Sequence, residues 1–184
     1  MGKLYCVTFG GVVKPYYAFF MPWNAVRDEE TYSLTYLPPS TINGIEEELH
    51  LEHDSIVRHK LTFSKNGMQR EMNKRIVYLP KGETTHTIHT RHMLVNPTII
   101  LAFKNREDAE YAMTQVIYGG QFIYPLYPNR EEGIKEYTHS EFDKLEGVET
   151  IETEENDENA IFLGFNRQKE NKRMFVNIIR NEWV

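Results

Sequence analysis

Apolar and polar positions alternate in several short stretches of the chain and recur at helical spacing in two others. KLYCVTF, Lys3–Phe9, mixes β-branched and aromatic residues and predicts an opening strand closed by Gly10-Gly11. Residues 12–30, with Pro15 and Pro22 among many aromatics, predict an irregular, partly buried connection into a second extended piece, Thr31–Leu37. Pro38 and Pro39 then fix an extended approach, since each locks its own φ and disfavours helix in the residue before it. Ser40 or Thr41 is placed to cap a helix running from about Ser40 to Leu51. Ile42, Ile45 and Leu49 fall on one face of it, with Glu46–Glu48 on the solvent side.

Ser55–Leu79 carries the plainest hairpin signal: two extended arms around Lys65-Asn66-Gly67, Asn-Gly being the favoured pair for a tight turn. Its distal part has no bulky apolar residue except Met68 and Met72, which predicts a protruding β-hairpin over 55–79 with Met68 at its tip. Thr85–Phe103 starts as an alternating His/Thr strand and turns apolar at Leu94, with a bulge or edge at Pro97. Asn105 caps a second helix whose face is Ala109, Ala112, Met113 and Val116 and whose end is Gly119-Gly120. QFIYPLYP is extended. Residues 129–159 read as an acidic insertion or solvated loop with a weak helical suggestion at 139–148, and AIFLGF and RMFVNIIRNEWV as closing strands. This order predicts one α+β domain over 1–184, a ferredoxin-like βαββαβ core interrupted by a basic hairpin.

Composition narrows the class. The 184 residues, 40% hydrophobic, suffice for one domain with a core, and no stretch approaches the roughly 20 apolar residues of a membrane span. MGKLYCVTFGG is too short and strand-like for a secretory signal, and Cys6 stands where a myristoylation pattern has Ser or Thr. A single cysteine, Cys6, forms no internal disulfide; among apolar neighbours it reads as a core residue of a protein in a reducing, cytoplasmic compartment.

The net charge of −6 argues against a nucleic-acid partner until its distribution is followed. From Arg58 to His92 eight basic residues face two acidic ones, a local +6; from Glu131 to Glu158 twelve acidic residues face Lys135 and Lys144, a local −10. A basic stretch within an acidic protein still binds phosphate when one surface displays it. Candidate phosphate contacts are Arg58, Lys60, Lys65, Arg70, Lys74, Arg75 and Arg91, with His89 as an added donor and Met68 as a wedge between nucleotides or subunits. The alternative is a solvated charged excursion. The aromatic run YYAFF with Trp23 reads either as core or as a surface for stacking bases.

Catalysis is not demanded. His86, His89 and His92 lie within seven residues, but His86 and His89 face opposite sides of a strand and no Cys pair or HExxH accompanies them, so no metal and no cofactor is expected. The catalytic alternative is a metal-independent endoribonuclease using His59 or His89 with Lys60 and a tyrosine. No catalytic residues are assigned. A third reading is an interaction module whose acidic face blocks a basic channel.

TYLPPSTINGI, Thr35–Ile45, resembles the Pro-Pro-Ser/Thr-Thr-x-x-Gly element of the RAMP-type (RRM-like) subunits that cap the 5′ end of the guide RNA in type I CRISPR Cascade complexes. TRHMLVNPTIILAF, Thr90–Phe103, is similar to their Arg-x-x-Leu-Val-(Asp/Asn)-Pro strand, and GGQFIYPLYP, Gly119–Pro128, to their Gly-x-x-x-Tyr-Pro-x-Tyr segment. The three occur in the family's order. The resemblance implies a RAMP-like domain with a hairpin thumb across the guide RNA, the thumb falling on the basic hairpin. It implies a non-catalytic part in antiviral defence: holding the crRNA 5′ handle beside the Cascade backbone and large subunits, and meeting target DNA only through the complex, in a prokaryotic cytoplasm without a membrane partner. The proline turn and Gly44 would let the first helix begin tightly against the sheet, close to the bound handle. The chain departs from the pattern in IEEELHL, in Pro128-Asn129 where Leu-Gly is expected, and in the acidic 131–158.

Overall fold

The computed structural model describes residues 2–20, 30–75, 85–118, 125–166 and 172–181, and for 71–75, 85–87 and 166 the backbone path alone. The chain opens with strand β1 (Leu4–Gly10), whose alternation sends Val7 and Phe9 to one face and Leu4 and Cys6 to the other. Two short strands, β2 (Tyr17–Ala18) and β3 (Glu30–Tyr32), precede helix α1 (Pro39–Glu48). The predicted Ser/Thr cap is not made. Pro38 is the N-cap and Pro39 the first helical residue, a position that needs no N–H donor. Strand β4 (Ile56–Thr62) follows, then β5 (Lys65–Arg75), β6 (Thr85–Val95) and β7 (Thr98–Phe103).

The break between β6 and β7 falls at Asn96-Pro97, where Asn96 has φ +51°. The expected bulge is thus a corner at which the chain passes from one sheet to another. Helix α2 (Arg106–Ala112) is shorter than predicted, and Asn105 stands at its N-cap position without capping a backbone N–H through its side chain. Short strands β8 (Tyr127–Pro128) and β9 (Lys135–Tyr137), helix α3 (His139–Phe142) and strands β10 (Gly147–Thr153), β11 (Ile161–Asn166) and β12 (Lys172–Asn181) complete the order. Residues 76–79 of the expected hairpin, the Gly119-Gly120 stop with residues 121–124, Trp23 and the last three residues lie outside the described residues.

The larger sheet runs β11-β12-β10-β4-β7-β1-β8, with β9 also on β1. Within it β7 is antiparallel to both β1 and β4, so those two run parallel with β7 between them. Ile42 and Ile45 of α1 with its C-cap Leu49, and Ala109 and Ala112 of α2, pack on one face of this centre against Val7, Phe9, Ile99, Leu101 and Phe103. On the opposite face Leu4, Cys6 and Ala102 meet Phe142 of α3. Burial lifts the Cys6 thiol to about 12, which leaves it an inert core residue. The smaller sheet is built around β6, with β5 on one edge and β2 and β3 on the other. The architecture is mixed α+β with mostly antiparallel pairing, compatible with an RRM- or RAMP-like fold. No helix among the described residues is long and apolar enough to cross a membrane.

Two expectations are corrected here. The acidic 129–159 is not simply a solvated loop: β10 is an interior strand between β4 and β12, and Glu149 on it is buried. Nor does Glu46 face solvent. Its buried carboxylate accepts the backbone N–H of Ile56 at 2.8 Å, tying α1 to β4, and burial raises its pKa.

Candidate nucleic-acid interface

The basic residues of 58–92 separate into two environments, because 55–75 is not the hairpin its Asn-Gly predicts. β4 pairs with β7 and β10 in the larger sheet, whereas β5 pairs with β6 in the smaller. Asn66 and Gly67 lie inside β5, opposite Leu94 and Met93. Gly67 serves a close approach instead of a turn: a Cβ there would stand 2.8 Å from Val95 Cγ2 and 3.3 Å from Tyr17 Cε1. Met68 is accordingly near the body of the domain and not at a hairpin tip.

On β4 the cations are consumed internally. The Arg58 guanidinium donates through Nε and Nη2 to the two carboxylate oxygens of Glu149, both at 2.7 Å, and Nη1 pairs with Asp143 at 2.7 Å. Lys60 Nζ lies 3.3 Å from Glu149 Oε2, and the Phe142 ring covers both cations at 4.7 and 5.8 Å. Side-chain exposure is 14% for Arg58 and 1% for Lys60 and Glu149. The short helix α3, held by a reciprocal Thr138–Glu141 capping box, supplies Phe142 to this cover. Arg58 and Lys60 are therefore withdrawn as phosphate contacts, since α3 and β10 stand between them and solvent. His59 points to the other face. It is buried, its Nε2 accepts the backbone N–H of Thr150 at 3.2 Å, and burial, only partly offset by Glu149, pushes its pKa down to about 4.

On β5 and β6 eleven residues pair without a register break, from Lys65↔Val95 to Arg75↔Thr85. The near end is anchored: Met93 packs with Phe19, Leu94 joins Ala18 and Phe20 in the main core, and β2 and β3 pair as far as Thr90. Thus YYAFF contributes buried core through Ala18, Phe19 and Phe20, which decides against a base-stacking surface for that part. From His89 to Thr85, β6 pairs among the described residues with β5 alone, so the outer half is a two-stranded ribbon.

Lys65 and Arg70 are exposed on it, and Lys74 and Arg75 occupy the register positions opposite His86 and Thr85. Arg91 is half-buried with its guanidinium 5.2 Å from the centre of the Phe19 ring, and His89 is half-buried opposite Glu71. Lys65, Arg70, Lys74, Arg75 and Arg91 stand on the ribbon against one acidic residue, Glu71. Among the described residues no group of three or more His, Cys, Asp or Glu is placed to hold a metal ion.

Sequence reasoning missed a set of residues beside the ribbon. Tyr32 on β3 stacks on His92 of β6, with ring centroids 4.1 Å apart and planes within 6°. Glu30 holds the pair: its Oε1 accepts from Tyr32 Oη at 3.2 Å and lies 2.8 Å from His92 Nε2. These bonds, to His92 first and Tyr32 second, lower the Glu30 pKa, and the carboxylate's charge raises that of Tyr32. The alternation in ETY, exposed-buried-exposed, was the available signal; the parallel pairing to His92 was not in it.

No family model matches the chain, and no curated protein does. Among solved structures the chain is similar to a chain of a "CRISPR RNA-guided surveillance complex", at 12% identity and a TM-score of 0.49 over 97% of this chain and 90% of that one.

Proposed function

We propose that this protein is a non-catalytic crRNA-binding subunit of a Cascade-like ribonucleoprotein, in which the β5–β6 ribbon acts as the thumb and the domain body holds the 5′ handle. The observation that carries the reading is the ribbon itself: five cationic residues and one acidic one on two strands that, over their outer half, pair only with each other among the described residues. A ribbon of this charge suits a phosphate backbone. The three motifs that resemble the guide-capping RAMP subunits support the specific role. The order β8-β1-β7-β4, with α1 and α2 on one face, supports a ferredoxin-like core beneath it.

The proposed phosphate contacts are Lys65, Arg70, Lys74 and Arg75, with Arg91 and His89 on the flank and Met68 against a nucleotide or a neighbouring subunit. Backbone and large Cascade subunits would be its protein partners, with target DNA reached only through the complex. The burial of His59 speaks against the endoribonuclease that would use it, because RNA has no route to its imidazole. The test is to purify the tagged chain from cells carrying its neighbouring genes and sequence the RNA that accompanies it. Short RNAs with a constant 5′ end are expected; a protein partner without RNA overturns the reading.

A further inference from the structure

The far edge of the larger sheet carries the most exposed aromatic side chain among the described residues. Strand β11 reads IFLGFN, six residues without a charge, and pairs among the described residues with β12 alone. On it Phe165 is 61% exposed and Phe162 45%, and the two rings meet edge to face with centroids 5.6 Å apart. Two touching phenylalanines left in water, with no polar atom of their own, mark an interaction site more than a solvated face. An uncharged edge strand also invites pairing with another strand. Here a register shift between Phe162 and Gly164, with Gly164 at φ +126°, bends β11 and interrupts a continuous ladder. What β11 offers is therefore its apolar side chains and not its backbone edge.

The charge beside the pair decides its occupant. The crossover 154–160 from β10 to β11 brings Glu154, Glu155, Asp157 and Glu158. Asp157 pins it, accepting from Thr153 Oγ1 and Asn177 Nδ2, each at 3.0 Å. Lys172 and Arg173 of β12 stand against these four carboxylates. The Arg173 guanidinium lies 5.1 and 5.0 Å from the centres of the Phe162 and Phe175 rings, and Glu155 holds its Nη1. That cation is already engaged, so a polyanion meets a net negative rim. A second copy of the chain would set the same carboxylates against each other. We propose that Phe162 and Phe165 anchor a docking surface for a protein partner whose contact patch is apolar with a basic rim. Aromatic side chains seated in a partner's pocket carry most of the energy of such contacts, with charges at the rim. This surface is separate from the ribbon, and its use does not depend on RNA.

In the experiment the whole chain, with p-benzoylphenylalanine in place of Phe165, is purified from cells carrying its neighbouring genes and irradiated, and the cross-linked peptide is sequenced. The expected product joins position 165 to an apolar stretch of another protein with Lys or Arg within a few residues of it. Phe165→Glu should weaken that complex at least about 30-fold, whereas Phe165→Leu should keep it. Glu154→Lys/Glu158→Lys should weaken it less and flatten its dependence on salt. The urea midpoint of Phe165→Glu and its RNA titration should match wild type, which separates a lost docking contact from a damaged fold or a lost ribbon. A cross-link to RNA or to a second copy, a complex that survives Phe165→Glu, or a chain that emerges without a protein partner overturns the surface and leaves the ribbon reading to its own test.

Discussion

β4 and β5 are neighbours in sequence, similarly basic, and opposite in what they do with their charges. Arg58 and Lys60 on β4 lie under α3 and against β10, and two carboxylates, Glu149 and Asp143, balance them within 3.3 Å. Lys65 and Arg70 on β5 are exposed on a ribbon facing one acidic residue. Cations in the first setting serve the fold, because a buried charge persists only when paired. Those in the second are available to a ligand. Proximity in sequence and sign of charge do not distinguish the two; the identity of the paired strand does.

The largest expected effect tests the buried side. Glu149→Ala removes the buried carboxylate that Arg58 and Lys60 share and leaves Arg58 its ion pair with the exposed Asp143, and the loss of stability should be about 3–5 kcal/mol. A urea midpoint that barely moves would show that the cations reach water after all, and would return them to the list of RNA contacts.

His59 supplies a second test of that side, through pH. Its folded pKa is about 4, against 6.5 when unfolded. Between those values the unfolded chain binds more protons, so this contribution is complete above pH 6.5 and is lost as pH falls toward 4. The window is worth about 3 kcal/mol. Buried Glu46 acts in the opposite sense, since its raised pKa favours folding as pH falls. The measurement is therefore the difference between wild type and His59→Gln, which keeps an acceptor near Thr150. The difference should shrink by about 3 kcal/mol from pH 7 to pH 4; a constant difference places a charged imidazole in the folded protein.

The ribbon side is sharpened by Lys74→Glu/Arg75→Glu. Each phosphate contact on a single strand contributes about 0.7 to the salt slope, so losing two lowers it by about 1.4 and costs about 25-fold in affinity between 1 M and 0.1 M salt. An RNA titration with unchanged affinity and slope would remove these two residues from the interface.

Much of the fold was legible because short-range patterns decide it. The alternation of β1, the apolar face of α1, the break at Pro97 and the two closing strands each follow from residues within a few positions of one another. The illegible part is long-range pairing. The sequence separates into a basic region and an acidic one, and nothing local says that Glu149 meets Arg58 across 91 residues. That pairing turns part of the acidic segment from a loop into an interior strand. For the same reason the Tyr32–His92 stack was unreadable: His92 comes from a strand 60 positions away in the chain.

Gly67 lies where the two regions join, and it is the residue whose local signal misled most. Read as the second member of an Asn-Gly turn, it requires a left-handed backbone; within β5 it requires an absent side chain. Val95 is buried and, as a β-branched residue in a strand, has little rotamer freedom with which to yield to a new Cβ at 2.8 Å. The ordinary gain of replacing a strand glycine, about 0.5–1 kcal/mol, should therefore be cancelled and exceeded, leaving Gly67→Ala destabilised by about 1 kcal/mol. Gly44 supplies the contrast. With the proline turn it was expected to let α1 begin tightly against the sheet, but it is exposed in mid-helix, and a Cβ there meets nothing within 4 Å. Gly44→Ala should stabilise by about 0.5–1 kcal/mol. Opposite shifts in the two urea midpoints would confirm that the glycine of the Asn-Gly pair is a packing residue at the root of the ribbon. A stabilised Gly67→Ala would mean that Tyr17 and Val95 move apart freely, and that the ribbon is less firmly seated on the body than its register suggests.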